Sequence, residues 1–272
     1  MTINSLKAIG KEQNHLKMTL GDSTLPALFW QNGAYATQLD NGQTVNLIGN
    51  LQINEWNGNQ TPQFIVQDIA MDTMQILDYR SKSKNTNFLN NDQSTAFVIH
   101  SKVHKSNDNE FYYGEVIPVE YDKIVFRDLP NTLDELKSTL QQTQISQIYL
   151  VFQHKMSIYF EGMPSISLFK QCYKALINKK ETNLATEGMM LCDFLNIKAN
   201  SLKFMLKVFL ELGFINEDDG IITIASQPSK QDIETSQLYQ ARLSRIEVEK
   251  LLLYDDFNHL KLWIKTQLGY SN

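Results

Sequence analysis

Over the first quarter of the chain the apolar residues come in short runs broken by turn residues, which is the pattern of β-strands. Ser5–Ile9, Leu16–Leu20 and Leu25–Trp30 are three such runs, separated by Gly10, Asn14, Gly21 and Asp22. A small helical or loop piece around Ala34–Leu39 follows, then the turn Asp40-Asn41-Gly42. The next run, Val45–Ile53, places Val45, Leu47, Leu51 and Ile53 on one face with a period of two. Gly49 sits in the middle of that face and predicts a bulge or sharp bend. Asn57-Gly58 tolerates positive φ at both residues and predicts a hairpin, with Gln63–Asp68 as the partner strand. Five strands with one small helix between the third and fourth is an OB-fold layout, so residues 1–77 are expected to form a β-barrel of that kind.

Residues 78–94 are polar and read as a linker. Beyond them Thr95–Val103, Tyr113–Val119 and Lys123–Phe126 read as strands, Thr132–Gln141 as a helix, and Gln147–Phe152 and Ser157–Phe160 as strands again. Strand, turn, helix and strand over Lys123–Phe152 is a βαβ-sized unit, which predicts a small α/β domain over residues 95–163. From Pro164 to residue 272 the pattern is mostly helical, with helices at Ser165–Ile177, Thr186–Leu195 and Asn200–Leu212. Gly213 ends the last of these in the usual C′ place. A hairpin from Phe214 to Ala225 follows, so residues 186–225 have the element order of a winged helix. A helical arm over Lys230–Lys250 leads to a closing amphipathic stretch with Leu260, Trp263, Ile264 and Leu268. The fold class expected is multidomain α+β.

Composition narrows the functions. The 272 residues carry 25 Lys+Arg against 30 Asp+Glu, a net charge of −5. Bulk electrostatic wrapping of duplex DNA needs a basic surface and is excluded. Single-strand binding through stacking is compatible with that charge. No apolar run is long enough to cross a membrane and no secretory signal is visible, so a cytoplasmic location is expected. Cys172 and Cys192 supply no disulfide framework.

No complete catalytic constellation is visible. The histidines His15, His100, His104, His154 and His259 are scattered, and none has a zinc-ligand spacing. His100 and His104 fall on an expected strand, where residues four apart lie about 13 Å from each other, too far to share a metal. Neither a phosphate-binding P-loop nor a Gly-x-Ser-x-Gly elbow occurs. The acidic pairs Asp218-Asp219 and Asp255-Asp256 lack nearby histidines and read as solvated surface. Catalytic and metal-binding residues are therefore expected to be absent.

The binding features are stronger. Trp56 and Asn57 end the long strand at the hairpin, and Phe29-Trp30 ends another strand of the same barrel. Aromatic residues at OB strand ends are where single-stranded bases stack, each worth about 1–3 kcal/mol. Trp56 either stacks on a base or covers the barrel rim, and Trp30 has the same two readings. The cations available to phosphates are Lys7, Lys11 and Lys17 in the barrel and Arg80, Lys82 and Lys84 just after it. The lysines Lys198, Lys203 and Lys207 of the winged-helix-like segment face an acidic wing of Glu217, Asp218 and Asp219, a poor footprint for duplex DNA.

The run Gly49-Asn50-Leu51-Gln52-Ile53-Asn54-Glu55-Trp56-Asn57-Gly58, with Pro62-Gln63-Phe64 and Gln67-Asp68-Ile69, resembles the OB segment of the RecJ family of single-strand-specific exonucleases. Ile9-Gly10-Lys11 with His15-Leu16-Lys17 is similar to the start of the same domain. Later motifs resemble the additional C-terminal region of RecJ proteins from low-GC Gram-positive bacteria. They include Tyr159-Phe160-Glu161-Gly162-Met163-Pro164-Ser165, Val208-Phe209-Leu210-Glu211-Leu212-Gly213-Phe214 and Leu262-Trp263-Ile264. One departure is Asn59-Gln60-Thr61, which occupies a hairpin position where basic residues are common in the family.

The resemblance implies a non-catalytic region that binds and guides single-stranded DNA for a 5′→3′ exonuclease of recombination and repair. The family's catalysis belongs to an N-terminal core that holds Mg²⁺ or Mn²⁺, and this chain carries no Asp-His-His triplet. No cofactor is expected in the chain itself. The alternative is an interaction module docking single-strand-binding protein or a helicase, with incidental DNA contact. The expected partners are thus single-stranded DNA, the nuclease core, and one of those two proteins.

Overall fold

The computed structural model describes residues 1–21, 25–56, 58–71, 74–80, 92–142, 145–154, 156–228 and 230–269, without the side chain of Trp56. These residues form two compact units. One comprises Met1–Asp128, Lys137–Gln153 and Asp255–Asn272, and the other comprises Leu129–Leu136 and His154–Tyr254.

The first unit opens with strands β1 (Ile3–Ile9), β2 (His15–Leu20) and β3 (Leu25–Phe29). A short helix α1 (Tyr35–Gln38) precedes β4 (Asn46–Trp56) and β5 (Asn59–Ala70). They make one sheet in the order β1-β2-β3-β5-β4, antiparallel except for the β3–β5 pair. Alternation assigns the inner face. Leu16, Met18 and Leu20 of β2 and Ala27 and Phe29 of β3 are buried, while Lys17 and Trp30 between and beyond them are exposed. The segment ahead of β4 returns to β1, where Ile3 N–H donates to the Gln43 carbonyl and Val45 N–H to that of Met1, both at 2.9 Å.

The expected inner face of the fourth strand holds only in its first half. Val45 is buried and Leu47 partly so, but Leu51 and Ile53 are 66% and 62% exposed. The ladder shifts register between Ile48 and Gly49, with Gln67 as the extra residue on β5. A Cβ on Gly49 would lie 2.1 Å from the Ile65 carbonyl oxygen, so the glycine permits this close approach. Past the residues that β3 pairs, Phe64 and Ile65, β4 and β5 run on to Trp56 and Asn59 as a two-stranded ribbon, with no further strand paired to it among the described residues. Period-two patterning does not distinguish a strand within the sheet from its protruding end.

The second sheet consists of β6 (Gln75–Asp78), β7 (Thr95–Ile99), β8 (Glu110–Tyr112), β9 (Lys123–Asp128) and β10 (Gln147–Gln153). It is parallel throughout, in the order β6-β10-β9-β7-β8, and helix α2 (Leu133–Leu140) falls between β9 and β10 in sequence. All five residues of β7 are buried, as expected of a parallel strand covered on both faces. The sequence boundary at residue 77 falls inside β6. Of the expected linker, residues 81–91 lie outside the described residues. Tyr113–Val119 is not a strand: the Glu115 carboxylate accepts Tyr112 N–H at 2.8 Å, and Glu115 N–H bonds back to the Tyr112 carbonyl. Those backbone groups form a turn instead of a ladder.

In the second unit, α3 (Ile166–Lys179) starts on the Ser165 hydroxyl, which accepts Leu168 N–H. Then follow β11 (Glu181–Asn183), α4 (Leu184–Leu195), α5 (Ala199–Glu211), β12 (Ile215–Asp218) and β13 (Ile221–Ile224). The strands form an antiparallel sheet in the order β11-β13-β12. Phe169, Cys172, Leu202, Met205, Phe209 and Tyr239 are among the buried residues of its core. Ser157–Phe160, expected as a strand, is a turn. Buried Glu249 accepts hydrogen bonds from the Ser157 hydroxyl and from the Ile158 and Tyr159 amides, removing the donors a ladder would need. The arm expected over Lys230–Lys250 is helical only as a 3₁₀ turn at Ile233–Thr235 and α6 (Gln237–Glu249), which continues as a π turn over Lys250–Tyr254. Ser236 sets the break by capping α6 through Tyr239 N–H.

The last helix, α7 (Phe257–Gln267), was expected with the helical region but belongs to the first unit. Its Lys261 and Lys265 both bond the Asp40 carboxylate beyond α1. No helix among the described residues is long and apolar enough to cross a membrane.

Candidate nucleic-acid interface

The outer face of the N-terminal sheet is built by the residues that alternate with its core. Register places Lys7 opposite Lys17, Lys17 opposite Leu28, Leu28 opposite Ile65, and Ile65 opposite Asn50, one row across all five strands. Directly opposed side chains stand about 4.5–5.5 Å apart at Cβ. Two lysines so placed repel each other unless an anion lies between or above them. Beside them, the Ser5 and Thr19 hydroxyls share a 2.8 Å hydrogen bond.

At one end of this face, residues 10–15 and 30–33 are pinned together. Gly33 N–H donates to the Asn14 carbonyl at 3.0 Å, and a Cβ on Gly33 would fall 2.0 Å from the Gln13 carbonyl oxygen. Gln31 N–H donates to His15 Nδ1 at 3.0 Å, which leaves the proton of a neutral ring on Nε2. The His15 and Trp30 rings meet edge to face, 4.8 Å between centroids at 81°. Trp30 is 47% exposed and held in place by this contact. Lys11 lies exposed on the 10–15 loop.

Of the residues singled out from the sequence, the structure thus brings Trp30, Lys7, Lys11 and Lys17 to the region of β1–β3. Trp56 is elsewhere. Its backbone pairs with Asn59, six residues along β5 from Ile65, or about 20 Å at roughly 3.3 Å per residue. Asn57 lies outside the described residues, as do Lys82 and Lys84. Arg80 corrects an expectation. Its guanidinium bonds both Asp78 carboxylate oxygens at 2.9 Å and the Asp255 carbonyl, and it lies over the Phe257 ring. An arginine so engaged is a structural clamp and not a free phosphate contact. Among the described residues no group of three or more His, Cys, Asp or Glu is arranged to hold a metal ion.

The comparisons with known proteins match both ends of this arrangement. Residues 1–68 match the model of the RecJ OB domain. Residues 75–264 match the model of the single-strand DNA-specific exonuclease C-terminal domain. The chain belongs to that family. It is also similar to the single-stranded-DNA-specific exonuclease RecJ of Bacillus subtilis strain 168, at 25% identity over 280 residues. The alignment covers 96% of this chain and 35% of that protein, so the chain spans about a third of its relative's length.

In this family member, sequence reading missed His15 and Gly33. Nothing local marks either one, since each owes its part to a segment about fifteen or twenty residues away in the chain. The equal spacing of Lys7 and Lys17 from the turn between them is the signal that would have paired them.

Proposed function

We propose that the outer face of the OB domain holds single-stranded DNA as the non-catalytic guiding region of a RecJ-like 5′→3′ exonuclease acting in recombination and repair. The observation that carries this reading is the exposed Trp30 ring, fixed edge-on by His15 beside the opposed Lys7–Lys17 pair. Bases stack on such rings at about 1–3 kcal/mol each, and the lysines meet the phosphates. The face between strands 2 and 3, flanked by the first loop, is where OB-folds bind oligonucleotides. Trp56 at the end of the ribbon would serve as an outlying contact. On this reading any Mg²⁺ or Mn²⁺ would belong to the nuclease core that the resemblance implies, and the protein would act in the cytoplasm.

A second reading is favoured by α4, whose Met189, Met190 and Phe194 are exposed. We read residues 186–225, across α4, α5, β12 and β13, as a winged helix, with Met189, Met190 and Phe194 forming a contact surface for single-strand-binding protein or a helicase. Lys203 and Lys207 of α5 are exposed, but the β12–β13 hairpin presents Glu217, Asp218 and Asp219, which argues against duplex DNA.

Fluorescence titration of the chain with a labelled single strand tests the first reading. Trp30→Ala should remove about 1–3 kcal/mol of affinity with little change in salt dependence. Parent-like binding by that variant would overturn it.

A further inference from the structure

We propose that Tyr159, Phe160 and Tyr254 form a second base-stacking platform, in the C-terminal domain, that takes nucleobases of single-stranded nucleic acid. The inference rests on the reading that this chain follows a single strand. It adds a site at a motif, Tyr159-Phe160-Glu161-Gly162, that the OB face leaves unexplained.

The three rings form a compact triangle. Tyr159 and Tyr254 stack at 4.9 Å and 23°, and Phe160 stands across both, at 5.2 Å and 73° from Tyr159 and 4.8 Å and 65° from Tyr254. Phe160 is nevertheless 78% exposed and Tyr254 40%, so the cluster is a surface feature and not the edge of a core. An exposed phenyl ring held crosswise by two neighbours keeps most of its π surface open in a fixed orientation. That lowers the ordering cost of a flat ligand.

The backbone beneath is unusually well held for a turn. The fully buried Glu249 side chain gathers the Ser157 hydroxyl and the amides of Ile158 and Tyr159 at 2.7–2.9 Å, and Arg245 binds its other oxygen at 2.7 Å. The π turn Lys250–Tyr254 starts at the next residue and delivers Tyr254 to the cluster. Arg242 bonds the Gly162 carbonyl twice and the Glu161 carboxylate once, and its guanidinium lies over the Phe204 ring. A buried carboxylate, two arginines and a π turn all serve to present two aromatic residues to solvent.

The charge around the rings is compatible with a nucleobase on a polyanionic strand. The chain is acidic overall, yet both carboxylates in this framework are matched, Glu249 by Arg245 and Glu161 by Arg242. Lys250, at the start of the π turn, is exposed. Stacking depends on the π face and not on net charge, so a matched patch suffices.

The test uses the full chain and a labelled single strand longer than the roughly 4–16 nucleotides that one OB-fold covers. Phe160→Ala should weaken binding about five- to a hundred-fold with an unchanged salt slope, and Phe160→Tyr should restore it. Strands carrying 5-iodouracil should give photo-adducts on the peptides bearing Phe160 or Tyr254. Phe160→Ala binding like the parent, with no adduct on those peptides, overturns the platform. If Trp30→Ala weakens binding in the same assay and Phe160→Ala does not, the platform falls while the OB reading stands. The converse result keeps the platform and removes the OB reading. A parent chain that binds no single strand overturns both.

Discussion

Lys261 Nζ lies 2.9 Å from an Asp40 carboxylate oxygen and 2.8 Å from the Gln38 carbonyl, across 221 and 223 residues of sequence. The lysine side chain is 5% exposed and the aspartate 40%. Burial pulls the Lys261 ammonium below its usual value against the opposing bond from Asp40. Burial also pushes Asp40 up, but hydrogen bonds from Lys265 and Lys261 outweigh it and hold the carboxyl below 3.8. The cost of the pair sits on Lys261, its more buried member.

It follows that Asp40→Ala, which strands a buried ammonium, should lose about 2–3 kcal/mol in urea unfolding. That is less than a fully buried pair would lose, because Asp40 is partly in water. Lys261→Met should be near neutral or stabilising. Equal destabilisation by both variants would contradict this assignment.

Acid sensitivity should be traceable to Asp92. Its carboxylate is held at about 2 by the hydrogen bond from Lys123 and by two from Ser94. The folded value lies below the unfolded one, so the stabilisation is complete above about pH 4 and is lost as pH falls toward 2. Asp92→Asn should be less stable than the parent at pH 7, and the gap should close on acidification to pH 2. A gap independent of pH would show that the ion pair adds nothing.

Single-strand affinity should fall only gently with salt. Three phosphate contacts at Lys7, Lys11 and Lys17 give a log–log slope of magnitude about 2, at roughly 0.7 per contact. Replacing Lys7 and Lys17 together with Gln should reduce that magnitude by about 1.4. Measured slopes that do not differ between parent and variant would remove these lysines from the interface.

Two glycines should respond oppositely to alanine. At Gly49 the new methyl meets the Ile65 carbonyl oxygen at 2.1 Å, and overpacking of this kind costs about 1–3 kcal/mol. At Gly188, inside α4, a methyl meets nothing within 4 Å, and the better helix former should add about 0.5–1 kcal/mol. Chemical denaturation of the two variants checks both signs.

Much of this architecture is local and was legible as such. The alternation of Leu16, Met18 and Leu20 with Lys17 and Thr19 decides which face of β2 is buried, because side chains on a strand point alternately. The helix after Ser165 and the break between α4 and α5 follow from the Ser165 N-cap and the left-handed Asn196 C-cap, which nearby residues set. The motif run from Gly49 to Gly58 carried the family.

What escaped depends on groups distant in sequence. Leu51 and Ile53 have the spacing of core residues, yet Leu51 stands where the β3 pairing ends and Ile53 on the ribbon past it, and both are exposed. The carboxylate of Glu249 turned an apparent strand at Ser157–Phe160 into a turn from some 90 residues away. Arg80 had the setting of a phosphate contact in a polar linker until Asp78 and the Asp255 carbonyl claimed it. Sequence by itself determined the first five strands, most of the helices and the family of this protein, because those rest on neighbours within a few residues. Tertiary structure alone decided which charges stay free for a ligand, since a hydrogen bond to a partner in another segment is satisfied only in the folded chain.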